Sequence, residues 1–526
     1  MNQGGTADKF IRPWQKVTSV RGFLLQIKNE TGGLPMIRPT LDEVRKMAEE
    51  GKYKYVPLST QMLSDVRTPI EVLRILKNVS GHCYLLESAE EREKWGRYTF
   101  LGFDPTMQIS CMNGKMTVDT VTFDTNDPGS VIRQIITWHK SPVLDYLPPF
   151  TGGLVGYFSY DYLKYSEPEL KPDGEDTEGF QDLDLMLFDK VIAFDHYENK
   201  LILIVNISLE NPEQSYHKGE LELKTMKDLI LNGKMAPIEP GRLKGEMKPL
   251  MGKKQYCEMV ERAKKHIVEG DIFQIVLSNR LEADFEGSLL NTYRIMRTIN
   301  PSPYMFYFSS SALEVAGASP ETLVKLENGV LHTFPLAGTR RRGKTPEEDK
   351  ALEEGLLKDP KELAEHSMLV DLGRNDLGKV SRFGTVEVES AYHILRYSHV
   401  MHIGSTVRGI IREDKDAMDA IAAVLPAGTL SGAPKIMACR LIHELENNKR
   451  GIYGGAFGYV SFTGSLDTCI GIRLAYAKNG KVFVRSGAGI VADSVPENEY
   501  QECLNKAAAV VQSLKDAELI DEEAGI

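Results

Sequence analysis

Two Asn-Gly pairs constrain this chain more than any other local feature. They stand inside alternating apolar text, in "VKLENGVLHTF" and "RLAYAKNGKVFVRSG". Asn-Gly is suited to the two consecutive positive-φ residues of a tight antiparallel turn, so both stretches are predicted hairpins. A third hairpin is predicted in "KVIAFDHYENKLILIVNI", turning at Glu198-Asn199. Most of 79–210 reads as strand, as in "HCYLLES", "RYTFLGF" and "KMTVDTVTF". Helices are written separately. "TLDEVRKMAEEGK" pairs Thr40 with Glu43 as a capping box and stops at Gly51, and "TPIEVLRILKN" has Pro69 at the first helical position. "KQYCEMVERAKKHIVEGDI" is amphipathic and ends near Gly270, while "PENEYQECLNKAAAVVQSLKD" is a long closing helix. Hairpins mixed with separate helices predict an α+β fold, with antiparallel sheets covered by helices on one face. No 20–50-residue period repeats, which excludes a solenoid.

The 526 residues suffice for two or three domains. Residues 231–253 are rich in Pro and Gly without apolar period and read as a linker. The expected division is therefore an extension over 1–38, an N-terminal domain over 39–235 and a C-terminal domain over 245–520. A formal net charge of −11 argues against nucleic acid or an anionic membrane as the main partner. The longest apolar run, "LILIVNI", is strand-sized, and "MNQGGTADKFIRPWQKV" has no signal-like apolar core. Six scattered cysteines without a C-x-x-C pair suit reduced thiols in a cytoplasmic protein.

Candidate chemistry begins with two pairs of glutamates. Glu362 and Glu365 in "PKELAEHSMLVDLGRND", and Glu499 and Glu502 in "PENEYQEC", are three residues apart, so each pair shares a helix face. Two such faces together would make an oxygen cage for a hard cation such as Mg²⁺. The competing reading is a solvated face, although the apolar run after Glu365 argues for a helix packed inside. In "LPAGTLSGAPK" (425–435) a small-residue loop opens onto an apolar helix, an arrangement that can turn backbone N–H groups toward an anion. The loop lacks P-loop order, and no G-x-G-x-x-G follows a strand before it, so a carboxylate fits better than a phosphate. Thr429 could donate a hydroxyl, Arg473 in "CIGIRLAYA" a bidentate fork, and "RSGAGIVADS" further amides. Arg473 could equally make a sheet-edge salt bridge. Together these features describe a pocket for a small polyanionic acid chelated through Mg²⁺.

"LPAGTLSGAPK", "YGGAFGYVSF", "IGIR", "GAGIVADSVPENEYQE" and "ELAEHSMLVDLGRND" resemble the chorismate-utilising enzymes, in order, from about residue 255 to 515. The resemblance implies an α/β sandwich of two antiparallel sheets packed together, with helices outside and the two halves intertwined. It implies that Glu365 and Glu502 bind Mg²⁺, with Glu362 and Glu499 acting through water. Tyr453, Arg473 and the turn Gly487, Ala488 and Gly489 would hold the enolpyruvyl carboxylate. Thr429 would line the ring side, near the backbone of Gly338, with Gln274 also in the pocket.

Within that family, Ala337 occupies the position of a lysine that attacks the ring covalently in the aminodeoxychorismate-forming members, and alanine cannot attack. Gln274 occupies the position of a lysine base in the isochorismate- and salicylate-forming members, and an amide cannot deprotonate water. A neutral nucleophile is needed, and ammonia meets that requirement. The pattern is similar to the anthranilate-forming branch, first in tryptophan biosynthesis. There Glu321 ("GASPET") would protonate the leaving hydroxyl and His402 ("HVMHIGS") would assist pyruvate elimination. Local sequence alone leaves Glu321 as a possible helix cap after Pro320 and His402 as a possible core imidazole. No cysteine stands in a G-x-C-x-G elbow, so the resemblance implies a separate glutamine amidotransferase small subunit, in a heterotetramer of two large and two small chains. "YLLESAEEREKWGRYTFLG" and "NPSPYMFYF" resemble segments forming a tryptophan feedback site, implying roles for Glu87, Ser88, Pro301, Ser302, Pro303, Tyr304, Met305 and Cys469. Residues 39–235 would then be the regulatory domain and 245–520 the chorismate-binding catalytic domain. The alternatives are an aminodeoxychorismate synthase subunit and a non-catalytic tryptophan-binding regulator of the same fold.

Overall fold

The computed structural model describes residues 36–88, 96–170, 174–396 and 400–520. Residues 1–35 of the expected extension lie outside them. Both Asn-Gly turns form as the sequence requires. Asn328 and Gly329 (φ 51° and 79°) join strands Thr322–Glu327 and Val330–Thr333, and Asn479 and Gly480 (φ 52° and 74°) join Leu474–Lys478 and Lys481–Ile490. Asn199, also at positive φ, ends the loop between Lys190–Asp195 and Lys200–Ser208. Thr40 with Glu43, and Thr68 with Glu71, close reciprocal capping boxes.

The strands form two antiparallel sheets of 13 and 12 strands. The first runs in the order Tyr55–Leu63, Lys200–Ser208, Lys190–Asp195, Tyr98–Phe103, Cys83–Glu87, Tyr304–Ser309, Glu314–Ser319, Leu474–Lys478, Lys481–Ile490, Gln274–Glu286 and Arg242–Leu243. The second runs Leu336–Arg341, Val400–Ile410, Val330–Thr333, Thr322–Glu327, Leu466–Ile470, Ala456–Ser461, Gly153–Phe158, Leu183–Phe188, Met107–Met112, Lys115–Val118 and Val121–Asp124. Each sheet contains strands from both halves of the chain. Cys83–Glu87 pairs with Tyr304–Ser309 in the first, and Gly153–Phe158 with Ala456–Ser461 in the second. The division near 235–245 therefore runs through both sheets.

An aromatic layer fills the space between the sheets, where Phe306 and Phe457 stack at 4.1 Å. Helices cover the outer faces. Lys200–Ser208 shows why its sequence is apolar at nearly every position. Leu201, Leu203, Val205 and Ile207 pack under helices, while Ile202 and Ile204 face the other sheet. Helix Pro128–Trp138, capped by Asp127, interrupts the stretch read as mostly strand. The 231–253 segment is not a free linker. Its first two residues end helix Pro212–Asn232, and Arg242–Leu243 and Lys248–Pro249 each pair with Gln274–Glu286. Among the described residues no helix is long and apolar enough to cross a membrane.

Candidate active site

Two of the chain's passages between the sheets lie side by side. One, Pro320-Glu321, leads from Glu314–Ser319 into Thr322–Glu327. The other, Gly471 to Arg473, leads from Leu466–Ile470 back to Leu474–Lys478. Backbone bonds lock them side by side: Ile470 N–H donates to the Glu321 carbonyl (2.9 Å) and Ala318 N–H to that of Arg473 (3.1 Å). Arg473 lies at φ 50°, a strained region for a non-glycine residue that costs on the order of 1 kcal/mol. Thr322–Glu327 is a strand, so Glu321 is not a helix cap.

Thr429 Oγ1 donates to Glu321 Oε1 at 3.0 Å. Burial pushes the Glu321 carboxyl up to about 7, against the opposing pull of the Thr429 bond and the Arg473 charge. The glycine loop carrying Thr429 differs from the open anion cradle expected. Leu430 N–H bonds Ala427, Ser431 N–H bonds Gly428, and Gly432–Ala433 pairs with the start of Gln274–Glu286. The Leu430 and Ser431 amides are spent within the protein, and the threonine turns its hydroxyl to a glutamate. The buried Arg450 also braces this loop, donating to the carbonyls of Leu430 (2.6 Å) and Val276 (2.8 Å) while paired with buried Glu446. Arg485 joins the same cluster through Ser278. Sequence reasoning missed this network. Its one signal was the Glu446 to Arg450 spacing of four, and it stands in the polar stretch "HELENNKRG", which reads as a solvated helix end.

His402 Nδ1 lies 2.9 Å from the Gly338 carbonyl, which can only accept, so Nδ1 carries the hydrogen. Burial lowers the His402 pKa, so the ring is neutral with its lone pair on Nε2; the Arg473 charge adds to that direction. Gly338 is at φ 66°, and a β-carbon there would come within 3.1 Å of Glu362 Oε2. His402, Gly338 and Glu362 are thus consecutive neighbours. Glu362 is ion-paired with Arg340 at 3.0 Å.

Helices Pro360–Gly378 and Pro496–Ala517 bring the two glutamate pairs into one field. Burial raises the Glu365 carboxyl, and Glu362 and Glu502 add to the rise. Glu499 is likewise raised, by burial and then by Glu502, with Ser494 opposing. Glu502 pairs with Lys506 at 2.7 Å. Among the described residues no three of the four carboxylates come within 4.8 Å of one another. The four carboxylates are an all-oxygen donor set from two helices, and although Glu362 and Glu502 already hold Arg340 and Lys506, such donors suit a hard divalent cation.

Tyr453 is buried, and a β-carbon on Gly487 would lie 2.8 Å from its hydroxyl. A β-carbon on Gly489 would lie 3.1 Å from Gln274 Nε2. Ala488, between them, points into the apolar core, leaving only its backbone for a ligand. Ala337 is buried beside Gly338.

A cavity of about 1170 Å³ is lined by residues of both sheets and by none of these four carboxylates. Glu87, Ser88, Pro301, Pro303, Tyr304, Met305 and Cys469 all line it. Ser302 does not; it is buried with its hydroxyl on the Asn300 carbonyl (3.2 Å). Glu87 accepts from Tyr293 (2.5 Å) and Arg297 (3.0 Å). Residues 89–95 of the associated sequence motif lie outside the described residues.

The profile of the chorismate binding enzymes matches residues 81–512. Anthranilate synthase component 1 of Acetivibrio thermocellus is 45% identical over 498 residues, covering 92% of this chain and 99% of the relative. That of Aquifex aeolicus is 44% identical with the same coverage. The crystal structure of anthranilate synthase component I from Streptococcus pneumoniae superposes with a TM-score of 0.73 at 36% identity, covering 86% of this chain and 99% of that one. With a profile spanning most of its length and relatives this similar from end to end, the chain belongs to the chorismate binding enzymes.

Proposed function

We propose that this chain is the chorismate-aminating component of an anthranilate synthase, a lyase that converts chorismate and ammonia to anthranilate and pyruvate. The observation that carries the reading is Glu321: a carboxyl with a pKa near 7, fixed by Thr429 in the crossover next to Arg473. An acid so tuned keeps its proton near neutrality and can give it to a leaving hydroxyl as ammonia adds to the ring. Arg473, Tyr453 and the Gly487–Gly489 backbone would receive the enolpyruvyl carboxylate, with Thr429 on the ring side. Neutral His402, its Nε2 lone pair fixed by the Nδ1–H bond to Gly338, suits a base that takes the ring proton as pyruvate leaves. Glu365 and Glu502, backed by Glu362 and Glu499, would hold Mg²⁺, whose charge the ring carboxylate needs. Gln274 and Ala337 offer no amine, so neither a lysine-bound intermediate nor water activation competes.

The relatives named component 1 support a partner component, and we propose a glutamine amidotransferase small subunit, two of each chain forming the complex. Tryptophan is the proposed occupant of the large cavity, as feedback inhibitor. The reaction is tested by incubating the purified chain with chorismate, Mg²⁺ and ammonium and following anthranilate fluorescence. Blue fluorescence with stoichiometric pyruvate is expected. Aminodeoxychorismate, or no product, overturns the reading.

A further inference from the structure

The crossover that carries Glu321 is also a wall of the large cavity. Pro320 and Thr322 line that cavity, Glu321 between them lines a second pocket of about 40 Å³ beside Thr429, and Thr322 borders both. Tyr304 spans the same crossover. Its main chain pairs with Ser319 at the crossover's start, and its phenol lies 2.9 Å from Thr322 Oγ1 at the end. The phenol donates to Asp467 Oδ1 at 2.8 Å, which leaves its oxygen to accept from Thr322. Ser319 Oγ in turn donates to the Ile470 carbonyl at 2.7 Å, on the crossover that ends in Arg473. Cys469, another cavity-lining residue, is the cross-strand partner of Thr322. A displacement of Tyr304 therefore reaches Glu321 through one side-chain bond and one peptide unit.

We infer that Tyr304 is a positioning residue for Glu321, and that the Tyr304–Thr322 hydrogen bond transmits cavity occupancy to the acid. This rests on the reading of the cavity as a tryptophan site. A ligand that moves Tyr304 shifts the wall and moves Glu321 away from Thr429, so binding on one side costs proton delivery on the other.

The experiment separates binding from inhibition. Tryptophan affinity is measured by calorimetry, and half-inhibition in the ammonium-dependent assay, for the wild type, Thr322→Val, Thr322→Ser and Tyr304→Phe. Thr322→Val removes only the hydroxyl, and Thr322→Ser restores it. The ratio of half-inhibition to dissociation constant is expected to rise at least about fivefold in Thr322→Val and Tyr304→Phe, and to stay at the wild-type value in Thr322→Ser. Binding to the wild type with the same ratio in all four overturns the relay alone. No tryptophan binding to the wild type overturns the inhibitor reading, and the relay with it.

Discussion

Thr429 donates its hydroxyl hydrogen to Glu321 at 3.0 Å, joining a glycine loop to a crossover 108 residues earlier in the chain. A donor to a carboxylate favours the ionised form, so this bond holds the Glu321 pKa below what burial alone would impose. Removing the donor must raise that pKa further. The proposed acid works protonated, so rate should be lost as pH rises through its pKa. In Thr429→Val the alkaline limb of kcat, expressed per free NH₃, is expected to lie at higher pH than in the wild type. A limb displaced to lower pH contradicts the assignment.

The same carboxyl makes a stability test. Its folded pKa of about 7 exceeds the usual value of 4.5, so its favourable contribution is complete below pH 4.5 and lost as pH rises through 7. Glu321→Gln has no proton to lose. Its stability relative to the wild type is expected to improve between pH 4.5 and 8 by on the order of 2–3 kcal/mol, read by urea denaturation at both pH values. A difference independent of pH contradicts the buried-acid description.

Glu365 and Glu499 are raised by burial and by neighbouring carboxylates, so a cation among them should stabilise the fold. Added Mg²⁺ is expected to raise Tm in the wild type, by the equivalent of about 2.7 kcal/mol at a hundredfold excess over its dissociation constant. Glu365→Gln is expected to start from a higher metal-free Tm, with one repulsion removed, and to lose the Mg²⁺ response. An undiminished response in this variant removes Glu365 from the donor set.

Much of this was legible because it is local. Asn328-Gly329 and Asn479-Gly480, set between alternating apolar runs, take the positive φ of a tight turn, and Thr40 and Thr68 close their boxes within one turn. What adjoins across long separations was not. Nothing near Cys83 states that its strand pairs with Tyr304–Ser309, and the helix Pro128–Trp138 disappears among apolar residues that suit strands equally well. In the site, individual residues could be named from motifs, but their partners could not. Thr429 could be named as lining a pocket but its bond to Glu321 could not, and the brace of Arg450 on Leu430 depends on three segments meeting in the core. Ser302 fell within a motif whose neighbours line the cavity, yet it turns to its own backbone.

A partner that supplies ammonia leaves a signature in substrate use. The purified chain is expected to form anthranilate from ammonium salts, faster as pH raises the NH₃ fraction, and none from glutamine until a small subunit is added. Glutamine-dependent product from the chain alone contradicts the two-component arrangement.

Ser88 lines the large cavity at the end of strand Cys83–Glu87. Ser88→Leu should fill space there, weakening tryptophan inhibition by at least about tenfold, or 1.4 kcal/mol of binding, while turnover changes much less. Inhibition unchanged in dose–response assays removes Ser88 from the site.

The most direct measurement compares turnover with chorismate affinity in Glu321→Ala. Loss of a positioned acid should lower kcat by roughly 10²–10⁴-fold, with the chorismate dissociation constant within a fewfold of the wild type because Arg473, Tyr453 and the carboxylates remain. Wild-type turnover in this variant would contradict the account at its centre.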